Sequence, residues 1–264
     1  MTVRGPGHGR SQVCVVGWAS NPTNSECDYA VRMGAATPGI GRLRRFARDN
    51  GLVLACLGLF GIFMVGMVVS GWHVYNQDQT EHGGVSVTML QYLRTGDFIE
   101  ATFENWESEF LQMAMYVVLT AFLYQKGSAE SKPLPEDAEA PQDADPRARH
   151  NRLRGPWPVR RGGWTLRVYE HSLSLVFFGL FFASLLLHAA GGARAYSQEQ
   201  LDHGGDAVSL WSYLATSQFW FESMQNWQSE FIAVAAIVVL SIVFRQRGSA
   251  ESKPVAETDA ETGA

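Results

Sequence analysis

The chain has 264 residues, with 21 Lys plus Arg against 26 Asp plus Glu, a formal net charge of -5 and 46% hydrophobic residues. These averages resemble those of a soluble protein, but residues 51–71 contain no Asp, Glu, Lys, Arg or His, and residues 172–193 contain no Asp, Glu, Lys or Arg. Each run is long enough to cross a bilayer as a helix, so the sequence predicts an integral membrane protein.

Composition and motifs also exclude several classes of protein. The three cysteines, Cys14, Cys27 and Cys56, show no CxxC or Cys/His spacing, which argues against a structural zinc site or a disulfide framework. The basic residues lie beside the apolar tracts, which argues against a nucleic-acid partner. The P-loop, GxGxxG and HExxH motifs are absent, so we expect no cofactor.

Residues 1–40 are predicted to form a disordered N-terminal extension that has no counterpart later in the chain. Met33 is an alternative start, which would place Arg42, Arg44, Arg45 and Arg48 ahead of the first apolar tract, as in a signal peptide. The tract exceeds the usual length of a signal h-region of about 7–15 residues. We therefore predict that it spans the membrane.

Two halves of the chain match at a constant offset of 121 residues without gaps. Residues 125–133, Gln-Lys-Gly-Ser-Ala-Glu-Ser-Lys-Pro, are identical to residues 246–254 at eight of nine positions. The Asn-Trp-x-Ser-Glu-Phe motif of residues 105–110 recurs at 226–231, and a His-Gly-Gly sequence recurs in the same register. The sequence therefore predicts a duplication, with repeat 1 at 41–133 and repeat 2 at 162–254.

Each repeat is expected to contain two spans, which gives an all-α integral membrane protein with four transmembrane helices near 51–72, 105–124, 172–191 and 226–244. The second apolar tract of each repeat has only 14 or 15 residues, whereas a hydrocarbon core needs about 20. We therefore expect these helices to begin near the Asn-Trp motif. The amphipathic residues before that motif predict interfacial helices.

The distribution of Lys and Arg predicts the orientation of the chain. Residues 1–50 contain seven of them, residues 125–170 contain nine and the tail after 244 contains three, whereas each predicted outer loop contains one. The positive-inside rule places both termini and the middle linker in the cytoplasm. Two spans per repeat preserve orientation, so we predict two parallel helical-hairpin repeats.

The remaining segments have a composition typical of disorder. Residues 134–161 are rich in Pro, Ala and acids and then in basic residues, and they are predicted to form a disordered cytoplasmic linker. Residues 255–264 are predicted to be a disordered tail. Within the first and third tracts, Gly66 with Ser70 and Gly179 with Ala183 form small-xxx-small pairs that suit close packing of spans.

The first candidate site lies in the Asn-Trp-x-Ser-Glu-Phe motifs. Its residues share one helical face in each repeat, and a carboxylate within a membrane is costly unless it is paired or faces water. One interpretation is a polar pocket between the repeats that binds a cation or relays protons. The other is that the residues cap the helix and hold the hairpins in register, since the sequence offers no second intramembrane charge as a partner. The candidate residues are Asn105, Glu109, Gln112, Asn226 and Glu230, with Trp106 and Trp227 as interface anchors.

The second candidate site consists of His82 and His203, each of which follows an acid and precedes Gly-Gly. Two His and two carboxylates meeting between the repeats could bind a divalent metal. The alternative is an exposed turn in which the glycines adopt positive φ. His188, near the end of the third apolar tract, is interpreted as an interfacial residue.

The motifs at residues 49–52, 105–110, 125–132, 156–163 and 226–231 resemble those of a domain-of-unknown-function family of small, internally duplicated bacterial integral membrane proteins. The likeness covers residues 41–254, and this sequence departs from the family pattern mainly in residues 1–38. The resemblance implies a location in the bacterial plasma membrane. It implies no activity, substrate or catalytic residue.

The sequence thus favours a non-enzymatic structural or interaction component of the bacterial plasma membrane. Its expected partners are the lipid bilayer and either a second copy of the chain or another membrane protein, and no nucleic acid. The alternative is a small ion or proton transporter or channel that uses Glu109 and Glu230 between the repeats. An enzyme based on His82 and His203 is the least favoured interpretation.

A reporter fusion tests the predicted orientation. A reporter that is active only in the cytoplasm is expected to be active when it is fused after Pro133, because the basic residues place this segment inside. The same reporter inserted after Gly84 should be inactive. The opposite pattern would overturn the orientation.

Overall fold

The computed structural model describes residues 38–136 and 140–263. Most of the predicted N-terminal extension, with Cys14, Cys27 and Met33, therefore lies outside the described residues. Within the described part of the chain the regular structure is helical and contains no strand. The helices are α1 (Pro38–Asp49), α2 (Gly51–Glu81), α3 (Met89–Tyr92), α4 (Gly96–Phe122), α5 (Arg149–Arg154), α6 (Trp157–Arg161), α7 (Gly163–Glu170), α8 (Ser172–Asp202), α9 (Leu210–Leu214) and α10 (Ser217–Val243), with a 3₁₀ turn at Pro141–Asp143.

The chain divides into two compact units, one up to Met64 and one from Val65 onward. In the first unit the described residues form α1 and the first part of α2, whose apolar side chains are exposed, with Leu52 at 81% and Phe63 at 69%. The second unit contains the rest of α2 and all later helices. All the interactions discussed below lie within the second unit.

Three of the described helices, α2, α8 and α10, are long and apolar enough to cross a membrane. Helices α2 and α8 have 31 residues each, which corresponds to about 46 Å at the usual helical rise. They exceed a hydrocarbon core of roughly 30 Å. The apolar helices therefore indicate a membrane-embedded protein.

Helix α4 has 27 residues, as α10 does, but it is not among these three apolar helices. Its first half contains Asp97, Glu100, Glu104, Glu107 and Glu109, which lower its apolar character. The amphipathic residues that were expected to lie at the interface form one continuous helix with the apolar residues that follow them. The fourth span thus stays a prediction.

The helix bounds of the two halves correspond. Adding 121 to the limits of α2 gives those of α8, and adding 121 to the limits of α4 gives those of α10. Thr95 and Thr216 cap the N-termini of α4 and α10, where each hydroxyl accepts a hydrogen bond from a backbone N–H of the first turn. After the C-termini of α2 and α8, Gly83 and Gly204 adopt φ of 76° and 80°, a conformation that glycine adopts without steric cost.

Glycines allow α4 and α8 to approach each other through their backbones. A Cβ atom on Gly191 of α8 would lie 2.5 Å from the backbone nitrogen of Glu100, and one on Gly96 of α4 would lie 2.5 Å from the backbone nitrogen of Ala195. Helix α10 packs against α4, and the short α9 packs against α8 and α10. By contrast, Gly66 and Gly179 of the small-xxx-small pairs have no neighbouring atoms within 4 Å of a built Cβ.

The two Gly-Ser-Ala-Glu-Ser-Lys-Pro segments contact the tail, and the first of them also contacts α10. The hydroxyls of Ser128 and Ser241 hydrogen-bond at 2.9 Å in a buried environment. Lys253, which is 1% exposed, donates to the backbone carbonyls of Thr258, Asp259 and Glu261. Carbonyls of the tail thus surround a buried ammonium group, and residues 134–161, the predicted linker, contain the 3₁₀ turn, α5 and α6.

Substitution of Gly191 tests the close approach of α4 and α8. Gly191→Ala is expected to lower the free energy of unfolding by about 1–3 kcal/mol, because the added Cβ meets backbone atoms that cannot move independently. Thermal unfolding of the purified protein in detergent measures the effect. Gly179→Ala in the same helix is the matched control, and it should be neutral or slightly stabilising because its Cβ meets open space. Equal unfolding temperatures for the two variants would contradict the close approach.

Candidate functional site

Five ionisable side chains meet inside the second unit. Glu100 and Glu107 lie on α4, His188 on α8, Tyr213 on α9 and Glu222 on α10. Hydrogen bonds connect them in one series, and we refer to these five residues as the imidazole–carboxylate network. The network thus connects α4, α8, α9 and α10.

Glu107 and His188 form the innermost pair, and neither side chain has any exposed surface. His188 Nδ1 lies 2.8 Å from Glu107 Oε2, and Trp227 donates its indole N–H to Glu107 Oε1 at 2.9 Å. Both carboxylate oxygens therefore have partners, which is the condition under which a buried charge is tolerated. The pair links α4 to α8 and, through Trp227, to α10.

The second ring nitrogen of His188 faces another carboxylate. His188 Nε2 lies 3.4 Å from Glu222 Oε2, and the Gln218 amide donates to Glu222 Oε1 at 2.5 Å. A separation of 3.4 Å is long for a hydrogen bond between these atoms. The imidazole is thus firmly bonded on the Glu107 side and loosely held on the Glu222 side.

Tyr213 joins Glu222 to Glu100. Its hydroxyl oxygen lies 2.8 Å from Glu100 Oε1 and 2.8 Å from Glu222 Oε2. Burial, together with the charge of these two carboxylates, raises the pKa of Tyr213 above its ordinary value, so the hydroxyl keeps its proton at neutral pH. A phenol has one hydrogen to donate, and it therefore cannot satisfy both carboxylates at once.

Gly192 makes room for this arrangement. A Cβ atom at this position would clash with the Tyr213 hydroxyl and would lie 2.5 Å from Glu100 Oε1. The neighbouring Gly191 brings the backbone of α4 against α8, as described above. The Gly191-Gly192 pair thus places the carboxylate of Glu100 and the phenol of Tyr213 directly on the backbone of α8.

A cavity of about 400 Å³ opens onto the network. Glu100, Tyr213 and Glu222 belong to its lining, and both His82 and His203 do as well. Among the described residues that line it there is no Lys or Arg. The further acidic residues of the lining are Asp78, Asp97, Glu199 and Asp202. Such a concentration of carboxylates in a concave site raises the local concentration of cations.

The sequence-predicted residues of α4 lie apart from the network. Asn105 and Glu109 are exposed and Gln112 is half-buried. The Asn105 amide donates to the carbonyl of Ala101 in its own helix. None of these three residues lines the cavity.

The corresponding residues of α10 are half-buried. The Asn226 side chain interacts with Glu104, next to the network, whereas Glu230 lies close enough to Glu109 for their charges to repel. Of the predicted anchors, Trp106 packs edge-on against Phe103 and Phe110. Trp227 packs against aromatic rings and holds Glu107. The role of these residues as a site remains a prediction.

His82 and His203 lie at the ends of α2 and α8, in equivalent positions. His82 Nδ1 lies 3.0 Å from the carbonyl of Asp78, and His203 Nδ1 lies 2.8 Å from the carbonyl of Glu199. The hydrogen bond and the charge of Asp78 raise the pKa of His82. Among the described residues, the three-residue group with metal-binding geometry is Glu100, His188 and Glu222, and it includes neither of these two histidines.

The network was not predicted from the sequence, and His188 was interpreted as an interfacial residue. The structure instead places His188 between two carboxylates, because α4 brings Glu107 and α10 brings Glu222 against α8. The signal was present in the comparison of the halves. Tyr213 corresponds to Tyr92, but the offset pairs each of the other four ionisable groups with a residue that cannot replace it: His188 with Met67, Glu107 with Gln228, Glu100 with Phe221 and Glu222 with Ala101.

Comparison with known proteins identifies the family. The family described as "Domain of unknown function (DUF6766)" matches residues 43–264, and the chain belongs to it. No curated protein matches the chain. No solved structure matches it either.

Replacing network residues by their counterparts in the other half tests the Glu107–His188 pair. His188→Met is expected to lower the free energy of unfolding by roughly 3 kcal/mol, because it leaves Glu107 buried with a charge and one remaining partner. Adding Glu107→Gln should restore most of the loss, since the buried charge is then removed. Chemical unfolding in detergent provides the measurement. Additive losses in the double variant would show that the two residues do not form a pair.

Proposed function

We propose that this member of the DUF6766 family is a small multi-pass cation transporter, not an enzyme, in which the acidic cavity and the imidazole–carboxylate network form the cation pathway. The observation that carries the proposal is the position of His188. It has no exposed surface and lies between Glu107 and Glu222, and Glu222 lines the cavity. Ionisable residues buried between membrane helices are characteristic of ion and proton pathways.

The charge of the region supports a cation as the ligand. The network contains three carboxylates, and Glu104 lies close enough to interact with His188. Among the described residues of the packed helices, His188 is the basic side chain that faces them, while Tyr213, Trp227 and Gln218 contribute neutral donors. Since one imidazole can supply at most one positive charge against several carboxylates, the site favours additional positive charge.

A second cavity, of about 850 Å³, lies at the other end of α4. Its lining includes Tyr116, Glu130 and Lys132, and Tyr116 donates a hydrogen bond to Glu130 at 2.5 Å. Along α4, Glu107 and Tyr116 are separated by about 13 Å. The buried Ala114 lies on α4 between them. Two cavities at opposite ends of one helix suit a pathway that is closed at its centre.

The proposal includes the arrangement expected from the sequence: four spans in two parallel hairpin repeats within the bacterial plasma membrane, with both termini and the linker in the cytoplasm. The constant offset of 121 residues between the bounds of corresponding long helices supports the repeats. The pathway is assigned to Glu100, His188 and Glu222, in place of Glu109 and Glu230, since the latter two line neither cavity.

A structural or interaction role is the second candidate, and the same network favours it in one respect. Glu107, His188 and Glu222 connect α4, α8 and α10, so they also hold the helices together. A second copy of the chain or another membrane protein would be the partner in this case. Flux and stability measurements separate the two functions.

Flux through proteoliposomes tests the transport function. The purified protein should conduct at least one cation of a set comprising H⁺, K⁺ and Mn²⁺, and Glu222→Gln should reduce the flux to the level of protein-free vesicles. The double variant Glu109→Gln with Glu230→Gln is the matched control, because it removes two carboxylates outside the cavity, and its flux should be retained. No flux from the folded wild-type protein, or loss in the control alone, would contradict the proposal and favour the structural role.

A further inference from the structure

The geometry of the network points to the class of cation. We propose that Glu100, His188 and Glu222 bind a divalent transition-metal ion through one imidazole nitrogen and two carboxylate oxygens. The ligand atoms of these three side chains all lie within 4.8 Å of one another. The inference rests on the proposed transport function, for which it names the transported class of ion.

The distance between two of the ligand atoms fits a shared metal ion. His188 Nε2 and Glu222 Oε2 are 3.4 Å apart. Metal–ligand bonds of about 2.1 Å in a tetrahedral site place neighbouring ligand atoms about 3.4 Å from each other. A spacing that is long for a hydrogen bond is therefore the spacing that two ligands of one ion adopt.

The imidazole is oriented as a ligand by its other nitrogen. Glu107 Oε2 accepts from His188 Nδ1 at 2.8 Å, and Trp227 holds the second oxygen of Glu107. A carboxylate that bonds the distal nitrogen of a histidine fixes the ring tautomer and directs the Nε2 lone pair to the metal. Glu107 thus acts as a positioning residue behind His188.

Tyr213 positions the two ligand carboxylates, those of Glu100 and Glu222. Its hydroxyl lies 2.8 Å from an oxygen of each ligand carboxylate, although it has one hydrogen to donate. The hydroxyl can donate to only one of the two carboxylates. A metal ion bound between Glu100 and Glu222 would neutralise the carboxylate that receives no hydrogen bond from Tyr213. The absence of a side chain at Gly192 provides the space for this group of atoms.

The choice of ligands selects the metal class. Imidazole together with carboxylate suits divalent first-row transition metals, whereas Mg²⁺ and Ca²⁺ favour sets of oxygen ligands. Three protein ligands leave a coordination position open, as in sites that exchange their ligands. Glu100 and Glu222 line the acidic cavity, so an ion can reach the site from there.

The other half of the chain lacks an equivalent set. Under the offset of 121, the positions of Glu100, His188 and Glu222 correspond to Phe221, Met67 and Ala101. None of these three counterparts offers a carboxylate or an imidazole. We therefore expect one metal ion per chain.

Metal binding to the full-length protein, purified without a polyhistidine tag and stripped of metal, tests the inference. Mn²⁺ followed by electron paramagnetic resonance, with Zn²⁺ as a competitor, should show one bound ion per chain. Nitrogen coupling to bound Mn²⁺ should be present in the wild-type protein and absent in His188→Met. Glu107→Gln should weaken binding roughly 10- to 100-fold while the nitrogen coupling persists, as expected of a positioning residue.

Controls separate this site from the exposed histidines and from misfolding. Glu109→Gln and the double variant His82→Gln with His203→Gln should bind Mn²⁺ as the wild type does. Glu222→Gln should lose binding while it elutes as a monodisperse species, and Glu100→Gln provides a second ligand variant if Glu222→Gln does not fold. Binding that survives both carboxylate variants, or that is lost with His82 and His203, would overturn the assignment.

The outcomes also distinguish the inference from the proposed function. If the folded wild-type protein binds neither Mn²⁺ nor Zn²⁺ but conducts H⁺ or K⁺ in a manner that depends on Glu222, the transport function stands and the metal site is wrong. If one ion binds with nitrogen coupling but no cation crosses the vesicle membrane, the metal site stands and the transport function is wrong.

Discussion

The pairing of charges that are removed from water is the constraint on which this structure depends. Glu107 has no contact with solvent, so its two oxygens need partners from other helices, and His188 and Trp227 supply them. These bonds require α4, α8 and α10 to lie close together. The glycines at the contact of α4 and α8 make that distance attainable. The glycine contacts between α4 and α8 and the hydrogen bonds to Glu107 therefore favour the same arrangement of helices.

The long helices of the two halves have equal lengths and the same order, but the halves differ in chemistry. Tyr92 lies against Gly71 in the first half as Tyr213 lies against Gly192 in the second, so the contact between a tyrosine and a helix glycine occurs in both. The carboxylates around Tyr213 have no counterparts around Tyr92, where the offset gives Phe221 for Glu100 and Ala101 for Glu222. The tyrosine–glycine contact in the first half forms without such carboxylates. We therefore assign Glu100 and Glu222 a role in function and not in this packing contact.

Much of the fold could be predicted from the sequence, since it follows from local patterns. Charge-free tracts predicted the first and third apolar helices, and the His-Gly-Gly sequences lie where these helices end. The site could not be predicted in this way. Glu107 and His188 are 81 residues apart, and a carboxylate on an amphipathic helix has the same local pattern whether it faces water or a histidine. The repeated Asn-Trp-x-Ser-Glu-Phe motif indicated Glu109, whereas the difference between the halves at Glu107 and Gln228 was the informative feature.

The buried ammonium group of Lys253 has a consequence for how the protein is handled. Its three hydrogen bonds go to backbone carbonyls of residues 258–261, which replace the water that would otherwise solvate the charge. Composition alone suggests that the chain can be trimmed after Pro254 to ease crystallisation. Such trimming would expose Lys253 and would also remove Thr262, which accepts a hydrogen bond from the backbone of Gly127. Shortened variants of this protein should therefore end after these residues, not before them.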